Sequence, residues 1–399
     1  MKALSKIKWK HYINYIVCGA FTLYLGYMYL FENMRRSQTT LYTEIGTTII
    51  LAVSLSMVVG FLGELSLGHA GFMCVGAYIG GKLAVVLTEK YTDLDTYVIF
   101  VIALVVGGLV AMLCGFIIGL PALRLKGDYL AIVTLAFGEI VRIIFLNSNG
   151  VFGDQSGMKT PRLDRQILPF IAFLLVMVTL FVTQNIIRSK HGRAITAIRD
   201  SEIAAKATGI NVTKYKLMVF AIAALFAGMA GVLSSYSSNK IQAATYDYNY
   251  SIEILVIVVL GGMGSINGSI IAATLITILN NFLQTDLVKN LNKWFPDGNA
   301  TVEYIKESVP VFKNIIYALI LIVLVVYNNA PALKNFREKY SLKNLFSKFS
   351  KKKNDPAHAR DDEAKWDRVP TKISMDEVLS VDVQVKSPYT PDKAEKGDK

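Results

Sequence analysis

The chain has 399 residues, 53% of them hydrophobic and only 18% charged, with a formal net charge of +12 and a mean hydropathy of +0.42. That balance excludes two or three soluble domains with polar surfaces and reads as an integral membrane protein. Cys18, Cys74 and Cys114 are odd in number and sit inside apolar runs, which fits buried reduced thiols better than a disulfide framework or a metal cluster.

Uncharged runs long enough to cross the roughly 30 Å hydrocarbon core recur along the chain, and the short alternating strands of a β-barrel are absent. The pattern predicts an all-α polytopic helical bundle of about ten transmembrane segments, at 12–31, 41–63, 65–87, 96–122, 129–146, 166–187, 217–236, 252–262, 268–285 and 312–331. The first residues are basic and then apolar like a signal peptide, but the apolar part is long and lacks a small-residue cleavage site. An uncleaved first helix within an N-terminal segment, 1–40, is expected. With Lys2, Lys6, Lys8 and Lys10 in the cytoplasm, ten crossings place PALRLKGD (121–128), the basic connection 188–216 and the C-terminus on that same side, as the positive-inside rule requires.

The stretch GELSLGHAGF, 63–72, interrupts an apolar run with a carboxylate, a histidine and three glycines. Gly63, Gly68 and Gly71 let backbone bend or approach closely, while Glu64, Ser66 and His69 are costly in apolar surroundings unless paired or facing water. A broken or re-entrant helix beside a polar path is expected here, with Phe72 and Tyr78 lining it. The following GAYIGGKL, 76–83, nearly matches a phosphate loop. It ends in Leu83 rather than a hydroxyl residue and lies in a membrane span, so chance in a glycine-rich helix accounts for it. In the next span but one, Glu139 and Arg142 are three residues apart, so they share a helix face as an intramembrane ion pair. Such a pair is either structural or the side of a wet pathway.

The connection 188–216 contains IRDSEIAAKATGINVTKYK, which reads as a short amphipathic helix. Ile198, Ile203, Ala204, Ala205 and Ala207 supply a small apolar face; Asp200 and Glu202 sit early and Lys206 late, as the helix dipole prefers. Gly209 then stops the helix, and docking onto a soluble partner is expected. Further on, Gly261, Gly262, Gly264 and Gly268 interrupt a charge-free run and echo Gly60, Gly63 and Gly68. Matched interruptions in two halves of a transporter mark its substrate site, although close helix packing through small residues produces the same glycines.

From Lys334 the composition turns polar. A basic part, 334–353, places Leu342, Leu345, Phe346 and Phe349 at helical spacing among lysines, the pattern of a surface helix on anionic lipid headgroups. The remainder, 354–399, has the composition of a disordered cytoplasmic tail.

GELSLGHAGFMCVGAY, GDYLAIVTLAFGEIVR, RAITAIRDSEIAAKATGINVTKYKLMVFAIAALFAGMAGVL and VVLGGMGSINGSIIAA occur in that order. Together they resemble the LivM-type permease subunits of branched-chain amino acid ABC importers, over roughly 45–327. The resemblance implies a permease domain at 41–333 in a bacterial cytoplasmic membrane, forming the path of an amino-acid substrate. It further implies pairing with a LivH-type sister permease, two ABC ATPase subunits and an extracytoplasmic substrate-binding protein. ATP and Mg would be bound by the ATPases, with no cofactor, metal or nucleic acid held by this chain and no enzyme activity of its own. Arg199, Asp200, Glu202, Ala204, Ala205 and Gly209 would then belong to the coupling loop. The expected pathway comprises Gly63, Glu64, Ser66, Gly68, His69, Gly71, Phe72, Tyr78, Gly261, Gly264 and Gly268. The outer loop GVFGDQSGMKTPR and the ending NNAPALKNFREKY with its tail, from Asn328, depart from the family pattern; the loop change bears on substrate and binding-protein details.

Sister families carry urea or nucleosides. An ion-coupled secondary transporter shares the broken helices without needing an ATPase. An intramembrane enzyme using Glu64 and His69 as acid and base lacks a third polar partner in the same layer.

Overall fold

The computed structural model describes residues 13–282, apart from 32–33, 92–93, 126, 149, 151, 154–156, 162 and 239, together with Leu319. All of them belong to the unit Met1–Val326. Nine of the ten predicted apolar segments coincide with helices. The tenth, 312–331, lies outside the described residues apart from Leu319, as do the basic segment and the tail.

The helices are α1 (Ile13–Phe31), α2 (Arg36–Ser56), α3 (His69–Lys90), α4 (Thr96–Ala122), α5 (Asp128–Leu146), α6 (Leu168–Arg188), α7 (Lys190–Asp200), α8 (Glu202–Ala207), α9 (Val212–Ser238), α10 (Tyr248–Leu260) and α11 (Ile266–Asn281). Six of them are long and apolar enough to cross a membrane, namely α2 with its extension to Leu62, α3, α4, α5, α6 and α9; α10, α11 and Tyr15–Phe31 of α1 are apolar but shorter. The chain is thus a multi-pass helical membrane protein.

Local chemistry sets the boundaries. Pro169 sits in the first turn of α6, where no intrahelical donor is lost. Asp247 caps α10 by accepting from the Tyr250 backbone N–H at 3.0 Å, and Ser265 caps α11 by accepting from Gly268 at 3.2 Å. The expected single amphipathic helix in the connection 188–216 is instead two, α7 and α8. They are separated at Ser201, which is extended and whose hydroxyl accepts from the Ala204 N–H at 3.3 Å. A serine that caps the next helix has left the preceding one.

Burial orders the bundle. In α2, 89% of the apolar window is enclosed, against 28% in α4 and α5, so α2 is the central helix and the other two are peripheral. It packs against α6, α9, α10 and α11. Val101, Leu113 and Ile117 of α4 point outward, as a lipid- or subunit-facing surface does. On the other side of the bundle α3, α4 and α9 interlock around Val232. A methyl group at Gly80 would stand 2.6 Å from Val232 Cγ2 and 2.8 Å from Ala103 O; one at Gly107 would stand 2.6 Å from the same Cγ2 and 2.9 Å from Gly76 O. Small residues here let three backbones meet, and dispersion then does what hydrophobicity cannot do in lipid.

The connections 63–68, 189–211 and 261–265 gather at one end of the bundle, here termed the near end. At the far end two two-residue strands, β1 (Met158–Lys159) and β2 (Lys240–Ile241), pair antiparallel with Met158 opposite Ile241, and Thr160 Oγ1 donates to Ser235 O at 3.0 Å.

Gly107→Leu is expected to expel Val232 from its niche and cost about 1–3 kcal/mol, the usual range for overpacking. Thermal unfolding in detergent reads this as a lowered midpoint, and adding Val232→Ala should recover part of it. Equal midpoints for the Gly107→Leu protein and the wild type would show that the crossing is not tight.

Candidate coupling and gating site at the near end

α2 does not end as an α-helix. Met57–Leu62 widens into a π-helical turn that closes on Gly63, whose φ of 79° is left-handed; a side chain there would be strained. The Gly63 N–H reaches back to Val58 O, and so does that of Glu64, at 3.2 Å. The chain then runs without helical structure to Gly68 before α3 begins at His69. The predicted break is therefore present between Gly63 and Gly68.

The second break adjoins the first. Between α10 and α11, Gly262 and Gly264 adopt φ of 89° and 85°, and Gly261 and Gly268 stack backbone on backbone. A methyl group on Gly60 would run into the backbone of Gly264, so the two glycine turns are in direct contact. Arg199 from α7 spans both. Its Nη1 donates to Gly60 O at 3.2 Å, its Cγ lies where a methyl group on Gly63 would stand 2.7 Å away, and its guanidinium flanks Gly264. Asp200 holds the same guanidinium, accepting from Nε at 3.2 Å and Nη2 at 3.1 Å.

A buried ion triad ties the break to α8. Lys216, one turn into α9, has a side chain only 4% exposed; its Nζ donates to Glu64 Oε1 and, at 3.1 Å, to Glu202 Oε2. The other oxygen of Glu202 accepts from Lys206 Nζ at 2.7 Å. An ammonium taken out of water is tolerated only when paired and hydrogen-bonded, and here two carboxylates from two different segments supply that. The hydrogen bond from Lys206, joined by that from Lys216, holds the Glu202 carboxyl below the usual carboxylate range against a smaller opposing effect of burial.

The remaining polar residues of the opening are enclosed. His69 is 2% exposed, its Nε2 lies 2.8 Å from Ser54 Oγ, and its ring meets Phe72 edge-on. Phe72 in turn packs against Phe137 and Phe220. The Leu67 N–H donates to Thr134 Oγ1 at 3.0 Å, and that of Ala70 to Ser251 Oγ at 3.2 Å. Methyl groups on Gly68 and Gly71 would each come within 2.6 Å of the α5 backbone, at Thr134 O and Gly138 Cα. The Ser66 hydroxyl is buried with no hydrogen-bond partner among the described residues. Tyr78 lies farther along α3, buried and stacked on Phe145 with centroids 4.5 Å apart.

Glu139 and Arg142 form the predicted pair, with Nε donating to Oε2 at 2.8 Å and each side chain about a quarter exposed. Glu139 also borders a narrow crevice shared with Ala70, Gly71, Asp247 and Ser251. In the 199–211 loop, Ala205 turns inward at 3% exposed while Ile203 stands 79% exposed. Ala204 and Ala207 are exposed too, so the expected apolar face divides between the bundle and the outside. Gly209, at φ 83° with open space around it, forms the turn after α8. Sequence reasoning missed Ser54 of α2 itself and Lys216, Thr134 and Ser251 from other helices, each a partner of the break. Lys216 alone left a signal, a lysine inside the start of a span in a chain that carries an intramembrane glutamate.

Lys216→Met leaves Glu64 and Glu202 close together without their cation and is expected to cost about 3–5 kcal/mol, as breaking a buried pair does. The Glu64→Gln/Lys216→Met double variant should unfold at a higher temperature than Lys216→Met alone; no difference would remove the triad from the stability of this end. Because the Glu202 pKa is depressed in the folded protein, its contribution is present above the unfolded value and lost as pH falls through the lowered one. The protection of the α8 amides, exchange measured against the intrinsic rate at each pH, should therefore persist through mildly acidic pH and fall below the ordinary glutamate range, with Lys206→Met moving that fall to higher pH.

The family described as the branched-chain amino acid transport system permease component matches residues 38–325. The high-affinity branched-chain amino acid transport system permease protein LivM of Salmonella typhimurium is 37% identical over 278 residues, and the protein of the same name from Escherichia coli is equally so. The match covers 62% of this chain, and the chain spans 62% of the length of each of those two relatives. A probable branched-chain amino acid transport permease protein LivM of Methanocaldococcus jannaschii is 27% identical over 261 residues, covering 56% of this chain and 74% of that one. No solved structure matches. With most of its length inside the family match, and with both glycine breaks within the matched region, the chain belongs to the branched-chain amino acid transport permease family.

Proposed function

We propose that the chain is a permease subunit of an ATP-driven importer and forms part of the translocation path for branched-chain or related hydrophobic amino acids. The observation that carries this reading is the direct fastening of the 199–211 loop to the broken helix. Arg199 grips Gly60 O, and Lys216 joins Glu202 of the loop to Glu64 of the break. A push on α7 and α8 from outside the bundle therefore reaches the backbone of both glycine turns without an intervening flexible segment. In this reading the near end faces the cytoplasm, and two ATPase subunits that bind ATP and Mg rest on α8. A LivH-type sister permease completes the path and an extracytoplasmic binding protein delivers the solute. The path runs past Gly63–Phe72 and Gly261–Gly268, whose turns give way when α7 and α8 move. Anionic headgroups take up the basic segment 334–353.

The chemistry asked of this chain is conformational. A π-helical turn is a less regular hydrogen-bonding state than an α-helix, and a glycine at positive φ exchanges conformations at little steric cost. The near end thus combines a rigid lever, the ion triad, with a compliant hinge.

Ile203→Asp alters an exposed side chain and is expected to lower ATP-driven leucine uptake in vesicles by tenfold or more while leaving the melting temperature of the purified permease within a degree or two. Ala205→Asp, by contrast, puts a charge where the side chain is enclosed and should lower the melting temperature itself. Normal uptake by the Ile203→Asp complex at equal ATPase content would count against α8 as the docking element. His69→Ala asks a separate question at the break: altered uptake kinetics at equal complex levels would place the histidine beside the path, and unchanged kinetics with a lower melting temperature would leave it a packing partner of Ser54.

A further inference from the structure

The far end of the bundle carries a charged feature that the coupling site does not use. α9, 27 residues long and so about 40 Å, runs from the ion triad to the strand pair of β1 and β2. Across that ladder Met158 stands opposite Ile241 and Lys159 opposite Lys240. Opposite residues share one face of a sheet, and successive residues alternate between faces. Met158 and Ile241 take the inner face: they are 7% and 1% exposed, and a methyl group on Gly81 of α3 would run into both side chains. The two lysines are thereby turned outward side by side, Lys159 exposed and Lys240 half-buried, with their Cβ atoms about 5 Å apart.

Like charges directly opposite one another destabilise a ladder, so this arrangement calls for an anion. Among the described residues no carboxylate supplies it, for neither ammonium group has an ion-pair partner there. The described carboxylates closest to the strands in sequence are otherwise engaged, Asp164 accepting from the Gln166 N–H at 3.1 Å and Asp247 capping α10. Lysines blunt long edge strands against pairing with another chain, but two residues present almost no edge to protect. Lipid headgroups are an ill-placed source too. Met158 and Ile241 rest on α3, Thr160 fastens β1 to Ser235 of α9, and the apolar windows of α3 and α9 are 67% and 61% buried against 28% in α4 and α5. The strand pair therefore caps inner helices of the bundle, whereas headgroups surround its perimeter.

We propose that Lys159 and Lys240 form the contact point for an acidic surface residue of the extracytoplasmic substrate-binding protein. The proposal rests on the importer reading above, which sets the far end outside the cell, and adds to it the place where the delivering protein is held. A carboxylate seated between two ammonium groups relieves their repulsion and accepts a charge-assisted hydrogen bond from each. The backbone beneath them is fixed by the ladder, by the packing on Gly81 and by the Thr160 hydroxyl, so the two cations present a defined spacing. Being open to solvent, the contact steers and orients the arriving protein, and salt weakens it.

The test is ATP-driven leucine uptake by proteoliposomes of the complete complex, titrated with the binding protein that supports it. The Lys159→Glu/Lys240→Glu double variant is expected to raise the half-saturating concentration of binding protein at least tenfold, with the rate at saturation within twofold of wild type. Lys159→Arg/Lys240→Arg keeps both charges and should stay within twofold throughout. Added salt should raise the wild-type half-saturating concentration and leave that of Lys159→Gln/Lys240→Gln nearly constant. The melting temperature of this glutamine variant should equal or exceed that of wild type, because a repulsion has been removed. An unchanged half-saturating concentration in the glutamate variant overturns the contact alone. So does a lowered melting temperature in the glutamine variant, which makes the lysines structural, or a raised leucine requirement at saturating binding protein, which assigns them to the solute carboxylate. A defect confined to vesicles that contain anionic lipid assigns them to headgroups and overturns it equally. A wild-type complex that takes up no leucine with ATP and binding protein present overturns the importer reading and this contact with it.

Discussion

Lys216 needs two carboxylates, and that need organises the near end of the molecule. A lysine buried one turn into a membrane helix is expensive without partners. Glu64 arrives from the break after α2 and Glu202 from α8, outside the spans. The break after α2, α8 and the start of α9 are thereby fixed at one point, although Glu64 lies 152 residues before Lys216. Remove the cation and Glu64 and Glu202 are left without the charge they share; remove either carboxylate and the lysine is left half satisfied.

The glycine contacts give this charged junction something to act on. The π-helical turn, the left-handed Gly63 and the contact of Gly60 with Gly264 put two interrupted helices side by side. Arg199 reaches across both from the same loop that carries Glu202. The loop therefore holds the breaks by two independent means, a guanidinium on a backbone carbonyl and an ion triad on a side chain. By contrast, the crossing of α3, α4 and α9 around Val232 has neither charge nor positive φ, and it reads as the static wall against which the breaks are set.

Enclosure changes how the opening GELSLGHAGF is understood. Its Leu67, His69, Ala70 and Phe72 are packed among α2, α5, α9 and α10, so the stretch from Ser66 onward is a closed seam, with the Glu64 ion pair at its exposed start. The bond between His69 and Ser54 is one of the contacts that close it.

The sequence by itself determined the helices and the places where they fail. Long uncharged runs can only be helices in a bilayer, because backbone groups find no other partners there, and nine of the ten such runs are helical. The breaks at Gly63–Gly68 and Gly261–Gly268 were legible because glycine and charge are out of place in such runs, and the Glu139–Arg142 pair because its spacing is local. The split of the 188–216 connection at Ser201 was not, since serine caps a helix only where the chain turns. Nor was the inward turn of Ala205 beside the outward turn of Ile203, for both are apolar and only the position of the neighbouring helices separates them. Which charge satisfies Glu64, which hydroxyl meets His69, and that the two glycine breaks touch were decided by tertiary structure alone: those partners lie from 15 to more than 150 residues away, and no local rule connects residues that only packing brings together.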